Sequence, residues 1–543
     1  MKNRSLLTPI FFIFCLVFNF CHFTVATSTP RYKAVDHIAL NCGTSGNSTS
    51  PDGRNWTGEI GSKYGPTEQN NKSTFSDAQS HSSVATVPYT TARLSYFRFT
   101  YAFPVTAGPK FVRLYFYSAS YSGYEMSKDF FTVKAGSFTL LGNFSTSDSK
   151  ESNNFFKEFC INVEENQTLK LTFIPFSSDY YAFINGIEIV SMPIDLYYSQ
   201  KGFIKDEWVP KYVAQAPQFY INYSMALEMV YRLNVGGSLL KPMDDTGMFR
   251  EWSDATKLWS GGAIPRDPSL QLKYSKIPNY TAPDPIYQSA ITMGPNRAKN
   301  KQSNLTWGLP VDTGFNYLVR LHFCELESKI IATGDREFTI YIDYQLAEER
   351  ADVILWTGSN DTPFYKDYVV MIQNKGDDTH QLSIDLQPRT SEGTLIDAIL
   401  NGVEVFKLSN PDGNLARLHM VPPQPPTAAN ESKTKKTTFI AIGSGVGLLV
   451  VLILVCCMFL CKLKKTKRYG SYHPLAKWWC WSRPDPHKRE FSRRTASSLP
   501  GELCRYFRLD EIKAATNNFN EDLIIGVGGF GNVYKGLIEQ GNV

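Results

Sequence analysis

Seven short segments of this chain occur twice, in the same order, at an offset that grows from 193 to 216 residues. "IALNCG" (Ile38–Gly43) returns as "YRLNVGG" (Tyr231–Gly237), "RNW" (Arg54–Trp56) as "REW" (Arg250–Trp252), and "YTTA" from Tyr89 as "YQSA" from Tyr287. "FPVTAG" (Phe103–Gly108) returns as "LPVDTG" (Leu309–Gly314), "VRLYF" (Val112–Phe116) as "VRLHF" (Val319–Phe323), and "FFTV" from Phe130 as "EFTI" from Glu337. Last, "AFINGIEIV" (Ala182–Val190) returns as "AILNGVEVF" (Ala398–Phe406). Chance similarity would scatter, whereas a fixed order with a growing offset marks a tandem duplication whose second copy carries loop insertions. The joint falls near Met192–Pro217, and each copy is long enough to close its own two-sheet core.

The repeated unit is a β-domain. Runs such as "FVRLYFY" (Phe111–Tyr117) and "REFTIYI" (Arg336–Ile342) alternate as half-buried strands do, between clusters of Gly, Asn, Ser and Pro. No amphipathic helix of convincing length interrupts them. The "NG" that closes each copy suggests a tight hairpin between the last two strands. Trp56, Trp252 and the other large aromatics are expected in the core, and the neighbouring acids Asp244–Asp245 and Glu348–Glu349 as solvated loop charges.

Outside the duplication the chain is organised around a membrane. Lys2 and Arg4, the apolar run Leu6–Phe20 and small residues around Ala26 have the layout of a secretory signal peptide, residues 1–26. A second apolar run, Phe439–Cys461, holds 23 uncharged residues, enough to cross a hydrocarbon core of about 30 Å. Lys462, Lys464, Lys465, Lys467 and Arg468 follow it at once, which places the C-terminal side in the cytoplasm. Sequons at Asn47, Asn55, Asn71, Asn143, Asn166, Asn222, Asn279, Asn304 and Asn430 all precede that run, as expected of a glycosylated extracellular part. Asn360 is set aside because Pro363 directly follows its Thr362. Residues 462–543 carry 15 Lys/Arg against 8 Asp/Glu, so the overall +5 reports a basic tail beside an anionic leaflet and not a nucleic-acid binder.

Of ten cysteines only Cys42, Cys160 and Cys324 lie between the signal peptide, residues 1–26, and the second apolar run, which allows one bridge with one thiol left over. Cys42–Cys160 is the expected pair, with Cys324 an apolar strand residue. The segments divide the rest of the chain into 27–200 and 201–418 for the two β-modules, a Pro-rich stalk over 419–438, the span 439–461, a basic juxtamembrane segment over 462–505, and a distinct tail over 506–543.

Paired modules carrying "LNCG", "VRLHF" and "AILNGVEVFKLSN" behind a signal peptide resemble the tandem malectin-like ectodomain of plant receptor-like kinases of the FERONIA-like group, also called the Catharanthus roseus receptor-like kinase family. The resemblance implies a mainly β chain with two jelly-roll-like β-sandwiches side by side and one transmembrane helix. It further implies a secreted cysteine-rich peptide of the rapid alkalinization factor class as ligand. Such a peptide is captured with a glycosylphosphatidylinositol-anchored co-receptor, and cell-wall pectin is a further ligand.

The tail reads "YFRLDEIKAATNNFNEDLIIGVGGFGNVYKG" (Tyr506–Gly536), the lead-in and glycine loop of such a kinase. Ile525, Gly526, Gly528, Gly529, Gly531 and Val533 form G-x-G-x-x-G-x-V, whose glycines let a hairpin approach ATP phosphates while Val533 packs on adenine. A dinucleotide site would need a helix where Val533–Tyr534–Lys535 continue a strand. No next-strand lysine, catalytic aspartate or metal-binding aspartate follows, so ATP with Mg²⁺ belongs to the full-length kinase and this chain is expected to be inactive by itself. The site has no catalytic residue and no metal ligand in this chain. The sequence therefore points to a plasma-membrane, single-pass, type I receptor-like serine/threonine kinase cut early in its kinase domain. Its rival is a kinase-less, membrane-anchored decoy or co-receptor.

Overall fold

The computed structural model describes residues 32–417, apart from 69–72, 80–85, 149–152, 201, 203–204, 216–217, 256–261 and 391–394, and residues 509–542, apart from 521–522, 529–530 and 539–540. These fall into two compact units on either side of Asn430. The signal peptide, the stalk, the run Phe439–Cys461 and the juxtamembrane segment lie outside the described residues. Among the described residues no helix is long and apolar enough to cross a membrane.

Eleven strands recur in both halves of the first unit. The first half has β1 (His37–Ser45), β2 (Asn55–Ile60), β3 (Thr91–Ser95), β4 (Phe99–Phe103), β5 (Gly108–Tyr117) and β6 (Phe131–Ala135). It continues with β7 (Phe138–Phe144), β8 (Asn154–Val163), β9 (Leu169–Pro175), β10 (Ala182–Ile184) and β11 (Gly186–Ser191). The second half repeats them as β12 (Leu227–Asn234), β13 (Ser253–Asp254), β14 (Ala290–Thr292), β15 (Leu305–Asp312), β16 (Phe315–Phe323) and β17 (Phe338–Ile342). It closes with β18 (Gln345–Ala351), β19 (Phe364–Ile372), β20 (Thr379–Pro388), β21 (Ile399–Leu400) and β22 (Gly402–Leu408). Hydrogen-bonded neighbours run β1–β11–β5–β8 in one module and β12–β22–β16–β19 in the other, faced by β4–β9–β6–β7 and β15–β20–β17–β18. All seven repeated segments fall on or directly beside equivalent strands.

The modules are fused as well as neighbouring. β8 pairs antiparallel with β12, Phe159 opposite Glu228 and Cys160 opposite Leu227. The inner sheets thereby merge into one 12-stranded sheet. Strand β5 shows what that sheet must satisfy: Val112, Leu114 and Phe116 enter the first sandwich core, while Phe111, Arg113 and Tyr115 face the other way, and all six are buried. One face of the shared sheet closes two separate sandwich cores. The opposite face is covered by the connection between the modules, with Met192, Leu196, Tyr197, Tyr198 and Ile221 packed on Phe111, Leu227, Leu318 and Phe406.

Both ends of the unit cross to the other module. At the start, Tyr32 N–H donates to the Thr246 carbonyl at 2.8 Å and the His37 ring stacks on Phe249 at 4.4 Å. After β22 the chain returns to β7, where Thr139 N–H donates to the Gly413 carbonyl and Leu415 N–H to the Thr139 carbonyl. Leu415 is fully buried in the core of the first module.

Two of the repeated motifs have a backbone reason. Gly43 and Gly236 sit at equivalent positions with φ of 79° and 84°, and a Cβ on either would stand 2.4 Å from the carbonyl oxygen of Ala92 or Ala290. The "LNCG" and "YTTA" segments recur together because they touch. The "NG" motifs do not make the expected hairpin. β10 pairs with β3 while β11 pairs with β1 and β5, so the chain changes sheet at Asn185. The Asn185 side chain holds this corner: its oxygen accepts from Tyr117 N–H, and its nitrogen donates to the Thr91 carbonyl and Tyr121 hydroxyl, each at 2.8 Å. Asn401 does the same in the second module, accepting from Cys324 N–H and donating to the Ser289 carbonyl.

If the returning C-terminal segment fastens the modules, Leu415→Ala removes a core side chain of the first module from the far end of the second. The expected cost is about 2–5 kcal/mol in urea unfolding. A change below about 0.5 kcal/mol, typical of a surface position, would show that the segment is not anchored there.

Candidate functional site

In the second unit, β23 (Ile524–Gly528) and β24 (Gly531–Tyr534) form an antiparallel hairpin with Gly528 opposite Gly531. Lys535 N–H donates to the Leu523 carbonyl at 2.8 Å and closes its base. The helix Leu509–Ala515 precedes it. The backbone of Ile525, Gly526, Gly528, Gly531 and Val533 therefore lies on two strands and opens no helix, whereas Gly529 lies outside the described residues.

Asn47, Asn55 and Asn166 are exposed, and Asn143, Asn222, Asn279, Asn304 and Asn360 are half-buried, while Asn71 and Asn430 lie outside the described residues. The expected Cys42–Cys160 bridge is absent: both thiols are free and buried, as is that of Cys324. Cys42 sits in the first sandwich core, whereas Cys160 lies under the inter-module connection on the opposite face of the shared sheet. A sheet separates the two sulfurs.

That second face carries what the sequence reading missed. Across it runs a row of alternating charges, each on a different strand: Glu188 on β11, Arg113 on β5, Glu158 on β8, Arg232 on β12, Glu404 on β22, Arg320 on β16 and Asp367 on β19. Arg113 bonds Glu158 at 2.6 Å and Glu188 at 2.9 Å; Arg232 bonds Glu158 and Glu404, each at 2.8 Å. Arg320 grips Asp367 with two 2.8 Å bonds, and Arg54 extends the row by bonding Glu188 at 2.8 Å. The Glu158–Arg232 pair spans the module joint. His322 fills the row's edge in the second module, its ring nitrogens 3.1 Å from Glu404 and 2.8 Å from the Tyr287 hydroxyl.

Burial alone would raise these carboxyls. The guanidiniums of Arg113 and Arg54 outweigh it at Glu188 and hold that group well below the usual carboxylate range. Arg232 and Arg113 lower Glu158 in the same way, and Glu404 is lowered by its His322 bond and by Arg232. Glu228, beside Lys407 and Lys157, is brought down to about 2. Burial pushes the His322 imidazole down, towards its neutral form.

Trp56 and Trp252 are fully buried, as expected, with the Arg54 and Arg250 guanidiniums 5.7 and 5.8 Å from their rings. Asp245 is not a solvated loop charge. It is buried and holds Arg250, which also donates to the Thr281 and Tyr280 carbonyls and so locks the loop covering the row. Glu348 and Glu349 lie on strand β18, where Glu348 pairs with Lys211.

The surfaces that differ between the modules are the loops at one end of each sandwich. In the first module the connections β3–β4, β5–β6 and β9–β10 converge in a cluster of rings. Tyr96 stacks on Tyr124 at 5.1 Å, and Phe176 meets Phe130 and Tyr180 at 5.2 and 5.8 Å. Phe97, Met126 and Phe176 remain 46%, 44% and 49% exposed. In the second module the equivalent connections hold charges. Arg336 is surrounded by Glu325, Glu327 and Asp397. Beside it a polar groove of about 830 Å³ runs between residues 300–306 and 387–390. Among the described residues no cluster of side chains could hold a metal ion.

A malectin-like domain model matches residues 40–408, the duplicated unit almost from end to end. The chain belongs to the malectin-like domain family. Receptor-like protein kinase FERONIA of Arabidopsis thaliana is 42% identical over 545 residues, covering 95% of this chain and 60% of that protein. This malectin-like chain thus spans about 60% of the length of the curated relatives it matches. The crystal structure of plant receptor-like kinase FER is 42% identical and covers 72% of this chain and 100% of its own, with a TM-score of 0.64. The crystal structure of peptide RALF23 in complex with FER and LLG2 matches at 41% identity over 73% of this chain and 100% of that one, with a TM-score of 0.63.

The charge row could have been found in the sequence, since "VRL", "NG-x-E" and "R-x-W" place Arg113 and Arg320, Glu188 and Glu404, and Arg54 and Arg250 at matched positions. Because Glu158, Glu188 and Glu404 of the row, and Glu228 on the other face of β12, have depressed folded pKa values, their stabilisation is complete above the unfolded glutamate value of about 4.3. It is lost as pH falls through the folded values, near 2 for Glu228. Glu251, Glu325 and Asp397, raised by burial, offset part of that loss. The urea midpoint is expected to fall steadily between about pH 4.3 and pH 2; a flat midpoint over that window would contradict an ionised row.

Proposed function

We propose that this chain is the sensing and membrane-spanning part of a plant plasma-membrane receptor-like serine/threonine kinase, single-pass and type I. Its ectodomain captures a secreted cysteine-rich peptide of the rapid alkalinization factor class together with a glycosylphosphatidylinositol-anchored co-receptor. The observation that carries this reading is the likeness, over that chain's full length, to FER solved with RALF23 and LLG2. The uncharged run Phe439–Cys461 and the basic residues after it support the topology. The β23–β24 hairpin is the phosphate-covering start of a kinase lobe, whose ATP and Mg²⁺ are held in the full-length kinase.

The ring cluster of the first module favours a second ligand, cell-wall pectin. Tyr96 stacked on Tyr124, and Phe176 held edge-on by Phe130 and Tyr180, offer flat apolar faces on which sugar rings can lie, and the packing fixes them before a ligand arrives.

In interferometry with the purified chain, a peptide of this class is expected to bind more tightly when the co-receptor is present. Phe176→Ser is expected to weaken retention on pectin by about 1 kcal/mol, roughly five-fold, and to leave peptide capture unchanged. Absence of peptide binding with and without the co-receptor would overturn the first reading, and unaltered pectin retention the second.

A further inference from the structure

The polar groove of the second module contains a sequon of its own. Asn304 and Thr306 of Asn304–Leu305–Thr306 both line it. Asn304 is half-buried in this groove, whereas Asn47, Asn55 and Asn166 stand on exposed strand or turn positions. The Asn304 side chain is half-exposed and makes no hydrogen bond among the described residues.

The groove has the chemistry of a sugar cradle. Its walls are amides, hydroxyls, one proline and two cations, Lys301 and Arg389, with no aromatic ring and no carboxylate. At about 830 Å³ it lies within the roughly 300–1,000 Å³ that pockets use to bury a compact ligand. Gln387 presents an exposed amide without a partner among the described residues. Asn300, only 2% exposed, donates from its nitrogen to the Gly294 and Ile396 carbonyls at 2.8 Å each, which fixes its orientation. Its side-chain oxygen is left with no donor. A buried acceptor without a partner is costly, and an acetamido N–H or a sugar hydroxyl supplies what it lacks.

We propose that the N-glycan carried on Asn304 lies down in this groove, its first sugars hydrogen-bonded to Gln387 and Asn300, and forms part of the second module's wall. Attachment is the ordinary transfer to a sequon. The Asn304 nitrogen bonds the anomeric carbon of an oligosaccharide supplied on a lipid pyrophosphate, loses one proton, and the lipid pyrophosphate leaves. The two modules would then differ in a defined way: one loop end is filled by the protein's own glycan, and the other presents bare rings. The inference rests on the reading above only in that this part of the chain faces the lumen.

The test uses the full chain, expressed in a secreting cell and digested under native conditions with a peptide N-glycosidase, with release followed site by site by mass spectrometry. Release at Asn304 is expected to be about ten-fold slower than at Asn47 and Asn166, as when the cleavable conformer is populated one time in ten. Unfolding the chain first should abolish the difference, and Gln387→Ala should raise the native Asn304 rate several-fold without moving the thermal midpoint. Occupied Asn47 and Asn166 with a bare Asn304, or equal native rates at all three, would overturn the groove inference alone. Bare asparagines at all three would overturn the lumenal topology with it.

Discussion

The pair between Glu158 and Arg232 joins two halves of a row of buried charges that crosses seven strands and both modules. A buried ion pair seldom adds much net stability, because the attraction must first repay the loss of water. Its strength lies in what happens when it is mispaired. A slip of one residue between β8 and β12 would turn either Glu158 or Arg232 towards the sandwich cores and bring apolar side chains against the charges that stay. The row thus specifies one register at a joint where apolar side chains alone would tolerate several. The covering loop is specified with it, since Asp245 fixes Arg250 and Arg113 donates to the Met248 carbonyl at 2.8 Å.

On that rigid base the duplicated scaffold carries two different loop ends. Equivalent connections hold Tyr96, Tyr124 and Phe176 in one module and Glu325, Arg336 and Asp397 in the other. Loops diverge over a shared frame because a packed sheet tolerates little change while its connections tolerate much. Because the inner sheet is continuous and the chain crosses between modules at Tyr32 and again at Leu415, the two modules form one body. The segment after β22 is anchored through Leu415 in the module that lies first in sequence.

The duplication was legible because its physical causes are local. Gly43 must touch Ala92 and Gly236 must touch Ala290, so those motifs recur together. Alternation along β5 and β16 and the burial of Trp56 and Trp252 were equally plain. What escaped was decided by long-range contacts. "NG" signals a hairpin only if both flanking strands stay in one sheet, and Asn185 instead bridges two. Cys42 and Cys160 suited a bridge by count, yet a sheet lies between them. Asp245 read as a loop charge because its partner, Arg250, had no sequence signal beyond its place in "REW". The row itself was written in the repeats, but a charge within a strand pattern ordinarily marks the solvated face. Only the crossing of the inter-module connection turns that face inward.

If the shared sheet makes two modules into one cooperative body, scanning calorimetry of the purified chain will see it. The first unit is then expected to unfold in a single transition, with a calorimetric enthalpy close to the van't Hoff value. Two separable ectodomain transitions, each with its own enthalpy, would mean that the modules fold independently and that the row across β8 and β12 does not bind them.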